Sequence, residues 1–136
     1  MDNEPIQISA IIPAYNRGHL IGRAIESALN QTRPPDEIII VDDGSKDDTR
    51  ERVGHYIATH GERVRYICQE NGGSAAARHT GFQAARHEWI ALLDSDDHWL
   101  PNHLAQMVQA IQNTQGMARF YFADTVRSSE GHGRRH

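Results

Sequence analysis

Asp94-Ser95-Asp96-Asp97 places three carboxylates within four residues, directly after the apolar run Trp89-Ile90-Ala91-Leu92-Leu93. Like charges this close oppose one another's ionisation unless water, a proton or a cation neutralises them. Oxygen donors of this kind suit Mn2+ or Mg2+, which take one or two carboxylates and complete their shell with phosphate and water. This acidic triplet is therefore a candidate metal site; the alternative is a solvated turn whose Asp caps the helix near Pro101.

Other residues of chemical interest fall in three further clusters. In Asp42-Asp43-Gly44-Ser45, a carboxylate can accept a hydrogen bond from a nucleobase ring N–H or from ribose hydroxyls. The plainer reading is a turn, with Gly44 supplying the permissive backbone and Ser45 a helix cap. In Pro13-Ala14-Tyr15-Asn16, the Tyr15 ring either walls a base pocket or packs in the core. Asn71-Gly72-Gly73-Ser74 opens a helix whose free N–H groups attract anions, with Arg78 four residues further on within reach of a pyrophosphate. A plain turn explains the same glycines.

The elements that must position these clusters can be read from the apolar pattern. Isoleucine-rich 7–12, bounded by Pro13, reads as a buried strand. Residues 19–31 switch to helical period, with Ile21, Ala24, Ile25, Ala28 and Leu29 on one face, and Pro34-Pro35 ends them. The unbroken apolar run within 37–41 predicts a strand buried on both faces, as in parallel sheets. A helix follows over 47–60, opened by a capping pattern at Ser45 and Asp48 and weakened by Gly54. Residues 64–68 form a strand, 74–85 an alanine-rich helix, and 88–93 a strand. Pro101 opens a helix with Leu104, Met107, Val108 and Ile111 inward, and 118–126 forms a fifth strand. Residues 128–136 read as a disordered polar tail. Strand and helix alternate with short loops, which implies a parallel sheet with helices on both faces. Each chemical cluster directly follows a strand, so all four converge on the carboxyl edge, where open α/β sheets bind ligands.

Composition narrows the classes. The 136 residues suffice for one domain, 1–127, and carry a net charge of −4 from 14 basic and 18 acidic residues. Such a balance argues against nucleic acid as a partner, since duplex binding needs a basic face. Nine histidines are scattered, none at zinc-site spacing with Cys68, the single cysteine. A lone thiol gives no internal disulfide, and no run approaches membrane-spanning length. The expected setting is cytoplasmic, with any attachment to the inner face of a membrane made through a larger protein. A phosphoryl-accepting receiver domain also gathers acids at strand ends, but needs a late lysine; Lys46 is the only one.

In this order the clusters resemble the family 2 glycosyltransferases of the GT-A fold. The matching pieces are Ile11-Ile12-Pro13-Ala14-Tyr15-Asn16, the run from Ala24 to Thr32, Ile40-Val41-Asp42-Asp43-Gly44-Ser45, Asn71-Gly72-Gly73 with Ala76-Ala77-Arg78, and Leu93-Asp94-Ser95-Asp96-Asp97 with Trp99-Leu100-Pro101. The resemblance implies a Rossmann-like αβα sandwich, of which this chain holds an incomplete part. It further implies binding of a nucleotide-diphospho-sugar, a UDP-sugar foremost, and metal-dependent transfer of the sugar to an acceptor hydroxyl with inversion. On the same basis Pro13, Tyr15 and Asp43, with Asn16 and Asp42 beside them, contact the nucleobase. Asp94 and Ser95 lie near ribose and metal, Asp96 is the principal ligand of the Asp-x-Asp motif, and Arg78, with Gly72 and Gly73, lies near the diphosphate. The family's acceptor half and general base follow the point where this sequence stops. Asp124 comes too early and Glu130 lies in the tail, so no base is assigned. The corresponding expectation is a fragment that binds donor, with a non-catalytic nucleotide-sugar-binding module as the alternative function.

Overall fold

The computed structural model describes residues 5–114. Its elements alternate: β1 (Ile8–Ala14), α1 (Gly18–Leu29), β2 (Glu37–Asp42), α2 (Thr49–His60), a 3-10 turn (Gly61–Arg63), β3 (Val64–Cys68), α3 (Ser74–Ala84), β4 (Trp89–Leu92) and α4 (His103–Thr114). The strands form one sheet in the order β3-β2-β1-β4, and every pairing is parallel. All residues of β1 and β2 are buried, as their continuous apolar runs require.

Successive residues of a strand point to opposite faces, so the two faces have separate cores. On one, Ile8, Ala10, Ile12, Ala14, Ile38 and Ile40 pack with Ile21 and Ile25 of α1, Val53 of α2 and Leu104 of α4. On the other, Ile11, Ile39 and Val41 pack with Ala77 of α3. The topology explains why α3 stands apart. The chain steps from β1 through β2 to β3, then returns across the sheet to β4; a right-handed crossover run in reverse must use the opposite face. Winding direction therefore changes between β1 and β4, the place where open α/β sheets bind ligands beyond the carboxyl ends of their strands.

Pro13 does not bound the first strand as expected. β1 continues through Ala14, with Pro13 opposite Val41 and Ala14 opposite Asp42. Ala14's carbonyl accepts from Asp43 and Ile11's from Leu93, so odd positions of β1 turn their backbone polar groups toward β4. The missing N–H of Pro13 thus falls on the β4 side, where the ladder ends, and costs β2 pairing nothing. Beyond Leu93 the chain departs from β1, which frees Asp94 and its neighbours from the sheet. The expected strand at 118–126 and the tail at 128–136 lie outside the described residues.

At the amino edge, Glu37 is 2% exposed and accepts from Ser9 Oγ (2.6 Å), Arg65 Nη1 (2.8 Å) and the Arg86 backbone N–H (2.7 Å). Burial raises its carboxyl, but these bonds outweigh that and hold it below the ordinary value. The network fixes where α3 ends and β4 begins.

Close approach of α3 to the sheet depends on Gly81, where an added Cβ would lie 2.5 Å from Ile11 Cγ2. Gly81→Ala is expected to lower unfolding free energy by about 1–3 kcal/mol in urea titrations. At Gly54, mid-α2, an added Cβ meets nothing within 4 Å, and Gly54→Ala should raise it by about 0.5–1 kcal/mol. Equal effects of the two changes would refute this account of the packing.

Candidate functional site

The loops after β1 and β2 hold each other. Asn16, in the left-handed region at φ 53, donates its N–H to Ser45 Oγ (2.8 Å) and accepts from the Lys46 N–H at Oδ1 (2.7 Å). Asn tolerates this conformation better than most residues. The Gly18 N–H, in the first turn of α1, donates to Asp47 Oδ2 (2.9 Å), while Asp47 Oδ1 accepts from the Thr49 N–H (3.0 Å) that opens α2. One carboxylate therefore serves two helix starts. Ser45 does not cap α2, contrary to expectation: Asp48 occupies that position without a side-chain cap bond, and the Ser45 hydroxyl serves Asn16. Asp47's carboxyl is raised by burial and lowered more strongly by the Thr49 and Gly18 bonds, for a net fall.

Asp42 and Asp43 are 1% and 3% exposed, and their partners are all internal. Asp42 accepts from the Ser45 N–H at Oδ1 (2.8 Å) and from the Tyr66 hydroxyl at Oδ2. Burial and then this bond to Asp42 push the Tyr66 hydroxyl well above its usual range. Asp43 reaches instead into the loop after β3. Its Oδ1 accepts from Gln69 Nε2 (2.9 Å) and the Gly72 N–H (2.9 Å); its Oδ2 accepts from the Gly73 N–H (2.8 Å) and Asn71 Nδ2 (3.2 Å). Thr80 Oγ1 donates to Gln69 Oε1 and so orients that amide. Burial of Asp43 opposes ionisation, but the bonds from Gln69, Gly72 and Gly73 prevail and lower its pKa. Gly73, at φ +99, takes a backbone conformation that side chains resist, directly before α3.

The third loop leaves the end of β4. One carboxylate oxygen each from Asp94, Asp96 and Asp97 lies within 4.8 Å of the others, and the Asp97 N–H donates to the Asp94 carbonyl (3.0 Å), closing a turn. Asp97 belongs to the expected acidic triplet but not to the ligands, Asp94 and Asp96, that the family resemblance implied. Its 3% exposure is not legible from spacing. Arg78, reaching from α3, pairs with Asp94 (Nη2–Oδ1 3.7 Å). Ser95 is buried beside them, whereas Tyr15 is 42% exposed, against the core-packing alternative. Downstream, the Trp99 N–H donates to Ser27 Oγ (3.1 Å), Gln31 Nε2 donates to the Leu100 carbonyl (2.7 Å), and Gln31 Oε1 accepts from the Leu104 N–H (2.9 Å). Ser27 of α1 thus holds the far end of the acidic loop, and Gln31, just beyond that helix, caps α4. Trp99 stacks on His103 with centroids 5.0 Å apart, and burial lowers the His103 pKa.

Because β2 and β4 run parallel, Asp43 and Asp94 leave the sheet at one edge. α3 links them, since the glycines before it bond Asp43 and Arg78 within it meets Asp94. Asn16 and Asp42 stand apart from this link, engaged with Ser45, Lys46 and Tyr66. The donor set at Asp94, Asp96 and Asp97, all carboxylate oxygen, fits a hard divalent cation. No helix among the described residues is long and apolar enough to cross a membrane.

The model of Glycosyl transferase family 2 matches residues 9–135. A chondroitin synthase of Escherichia coli is 38% identical over 124 residues, 91% of this chain and 18% of the relative. An uncharacterized glycosyltransferase of Nostoc sp. is 36% identical over 121 residues, 89% of this chain and 38% of the relative. The chain thus spans well under half the length of either. Among solved structures, S. aureus TarS 1-349 in complex with UDP-GlcNAc superposes with a TM-score of 0.72 at 26% identity, covering 81% of this chain and 32% of that one. The mannosyltransferase PcManGT from Pyrobaculum calidifontis, in complex with GDP-Man and Mn2+, gives 0.72 at 28% identity, covering 77% and 32%.

The bonds that Asp47 accepts from Thr49 and Gly18 make stability depend on pH. Asp47's folded pKa lies below the ordinary 3.8, so its contribution is complete above that value and fades as pH falls through the folded one. Between about pH 5 and pH 2.5, denaturant-derived stability should fall less steeply in Asp47→Asn than in the parent. Parallel slopes would show that these bonds carry no charge-linked stability.

Proposed function

The chain belongs to Glycosyl transferase family 2, and from that premise we propose that it forms the donor side of a sugar-transfer site. It binds a nucleotide-diphospho-sugar, a UDP-sugar foremost, together with Mn2+ or Mg2+. The observation that carries the reading is the meeting of three carboxylates, within 4.8 Å of one another, with Arg78 paired to Asp94 at the carboxyl edge of the sheet. Two solved relatives support it: one holds UDP-GlcNAc, the other GDP-Man and Mn2+.

In this reading Asp94 and Asp96 hold the cation, and Asp97, buried in the same cluster, completes the acidic set. A bound divalent ion there supplies positive charge to the diphosphate, favouring departure of the nucleotide from the sugar. Arg78, now beside Asp94, adds a second cationic group on the α3 side. Ser95 and Asp94 face the ribose. The exposed Tyr15 ring, with Pro13 behind it, forms one wall for the nucleobase, and Asn16 and Asp42 shape that wall from within. Asp43 accepts the ring N–H of the base. The accommodating position is Oδ2, because Asn71 Nδ2 sits there at 3.2 Å and has a second acceptor in the Asp43 carbonyl at 3.0 Å. Transfer proceeds with inversion to an acceptor hydroxyl, and no general base is assigned. The setting is cytoplasmic, at the inner face of a membrane when joined to a larger protein.

Titration with UDP, GDP and dTDP, each with and without Mn2+, tests the reading: UDP should bind most tightly, and only with metal at full strength. If no nucleotide gains from metal, the donor-site assignment is wrong. Asp96→Ala should weaken Mn2+-dependent UDP binding by at least about tenfold with an unchanged circular dichroism spectrum. Unfolding of that variant would point to a structural role instead.

A further inference from the structure

We infer that Asp43 is a positioning residue for the diphosphate half of the site, beyond any contact it makes with a base. The inference rests on the donor-site reading above. A carboxylate offers about four lone-pair directions, and Asp43 fills them with Gln69 Nε2, the Gly72 N–H, the Gly73 N–H and Asn71 Nδ2. Three of these four donors belong to consecutive residues, Asn71 to Gly73. The segment has no ladder partner of its own, and Gly73 is held at φ +99. It is also where α3 begins, with Gly73 in the cap position and no side-chain cap bond.

What fixes this segment therefore fixes the start of α3. Arg78 lies in the second turn of that helix and meets Asp94. Gln69 closes the arrangement from the other side, because its amide oxygen accepts from Thr80 within α3. Asp43 thus aligns the α3 backbone N–H groups and Arg78 with the acidic loop. Removing its charge should loosen binding of a ligand that has no base at all. Asp94, Asp96 and Asp97 are carried by the loop between β4 and its tie to α1, not by Asp43, so their carboxylates stay in place, and loosening Arg78 from Asp94 does not weaken their hold on a cation.

The test measures Asp43→Asn against four probes: Mn2+ alone, inorganic pyrophosphate with Mn2+, uridine, and UDP with Mn2+. An asparagine keeps the shape, but one of its two positions becomes a donor facing donors. Pyrophosphate–Mn2+ binding is expected to weaken about tenfold, the usual scale for losing charge-assisted bonds, while binding of Mn2+ alone does not weaken. A residue serving only general stability would lower both. A base reader alone would lower uridine and UDP and leave pyrophosphate unchanged, and that result would overturn the inference. Failure of the parent chain to bind UDP or pyrophosphate with Mn2+ would overturn the donor-site reading and this inference together. Should Asp43→Asn not fold, Gln69→Leu removes one donor while keeping the carboxylate. It is expected to weaken pyrophosphate–Mn2+ binding by about threefold, the low end of the range for one hydrogen bond. No change in that variant overturns the inference as well.

Discussion

Backbone N–H groups that leave a sheet must find acceptors elsewhere or stay hydrated, and at this edge carboxylates provide them, two of them buried. Asp42 takes the Ser45 N–H, Asp43 those of Gly72 and Gly73, and Asp47 those of Gly18 and Thr49. A charged acceptor roughly doubles the strength of such a bond, which is why burial does not neutralise Asp43 and Asp47 but leaves both easier to ionise. The loops that carry the candidate site are thus shaped by side chains of the same type as those proposed to bind ligand. Acidic residues here divide into a set that folds loops and a set, Asp94 and Asp96, proposed to hold a cation.

That division also marks the limit of what the sequence made legible. Hydrophobic period located all eight elements over residues 5–114 to within a few residues, because strands buried on both faces and helices with one apolar stripe leave different signatures. The four clusters at strand ends followed from that order and the rule for parallel sheets. Pro13 was misread because its effect depends on which neighbour its missing N–H faces, and this is a property of the pairing. Ser45 was misread because a hydroxyl three residues before an acid has the spacing of a cap, whereas a loop twenty-nine residues away supplied the competing partner. Glu37 carried no local signal at all. Its partners Ser9, Arg65 and Arg86 come from two strands and the loop after α3.

The alanine-rich composition of α3 acquires a reason from the topology. As the one described helix on its face of the sheet, α3 lies close to β1 and β2, with Ala77 buried and Gly81 against Ile11. Small side chains bring the axis near the strands, and so bring both its glycine-bearing start and Arg78 toward the carboxyl edge. Bulkier residues along that face would move the helix outward and separate Arg78 from Asp94.

The acidic loop is tied at both ends. Upstream, the Leu93 N–H bonds Ile11 in the sheet; downstream, the Trp99 N–H bonds Ser27 in α1, and Gln31 secures the residues that follow. Between these two moorings lie Asp94 to His98, and there the bond from Asp97 to Asp94, the pairing of Asp94 with Arg78 and the contact of Arg23 with the Asp96 carbonyl tighten the loop further. Such a taut span has little slack to lose when something settles on it. The disorder that an untethered acidic strap would surrender on capture has already been surrendered in folding, so a partner arriving at this edge meets its carboxylates ready-set.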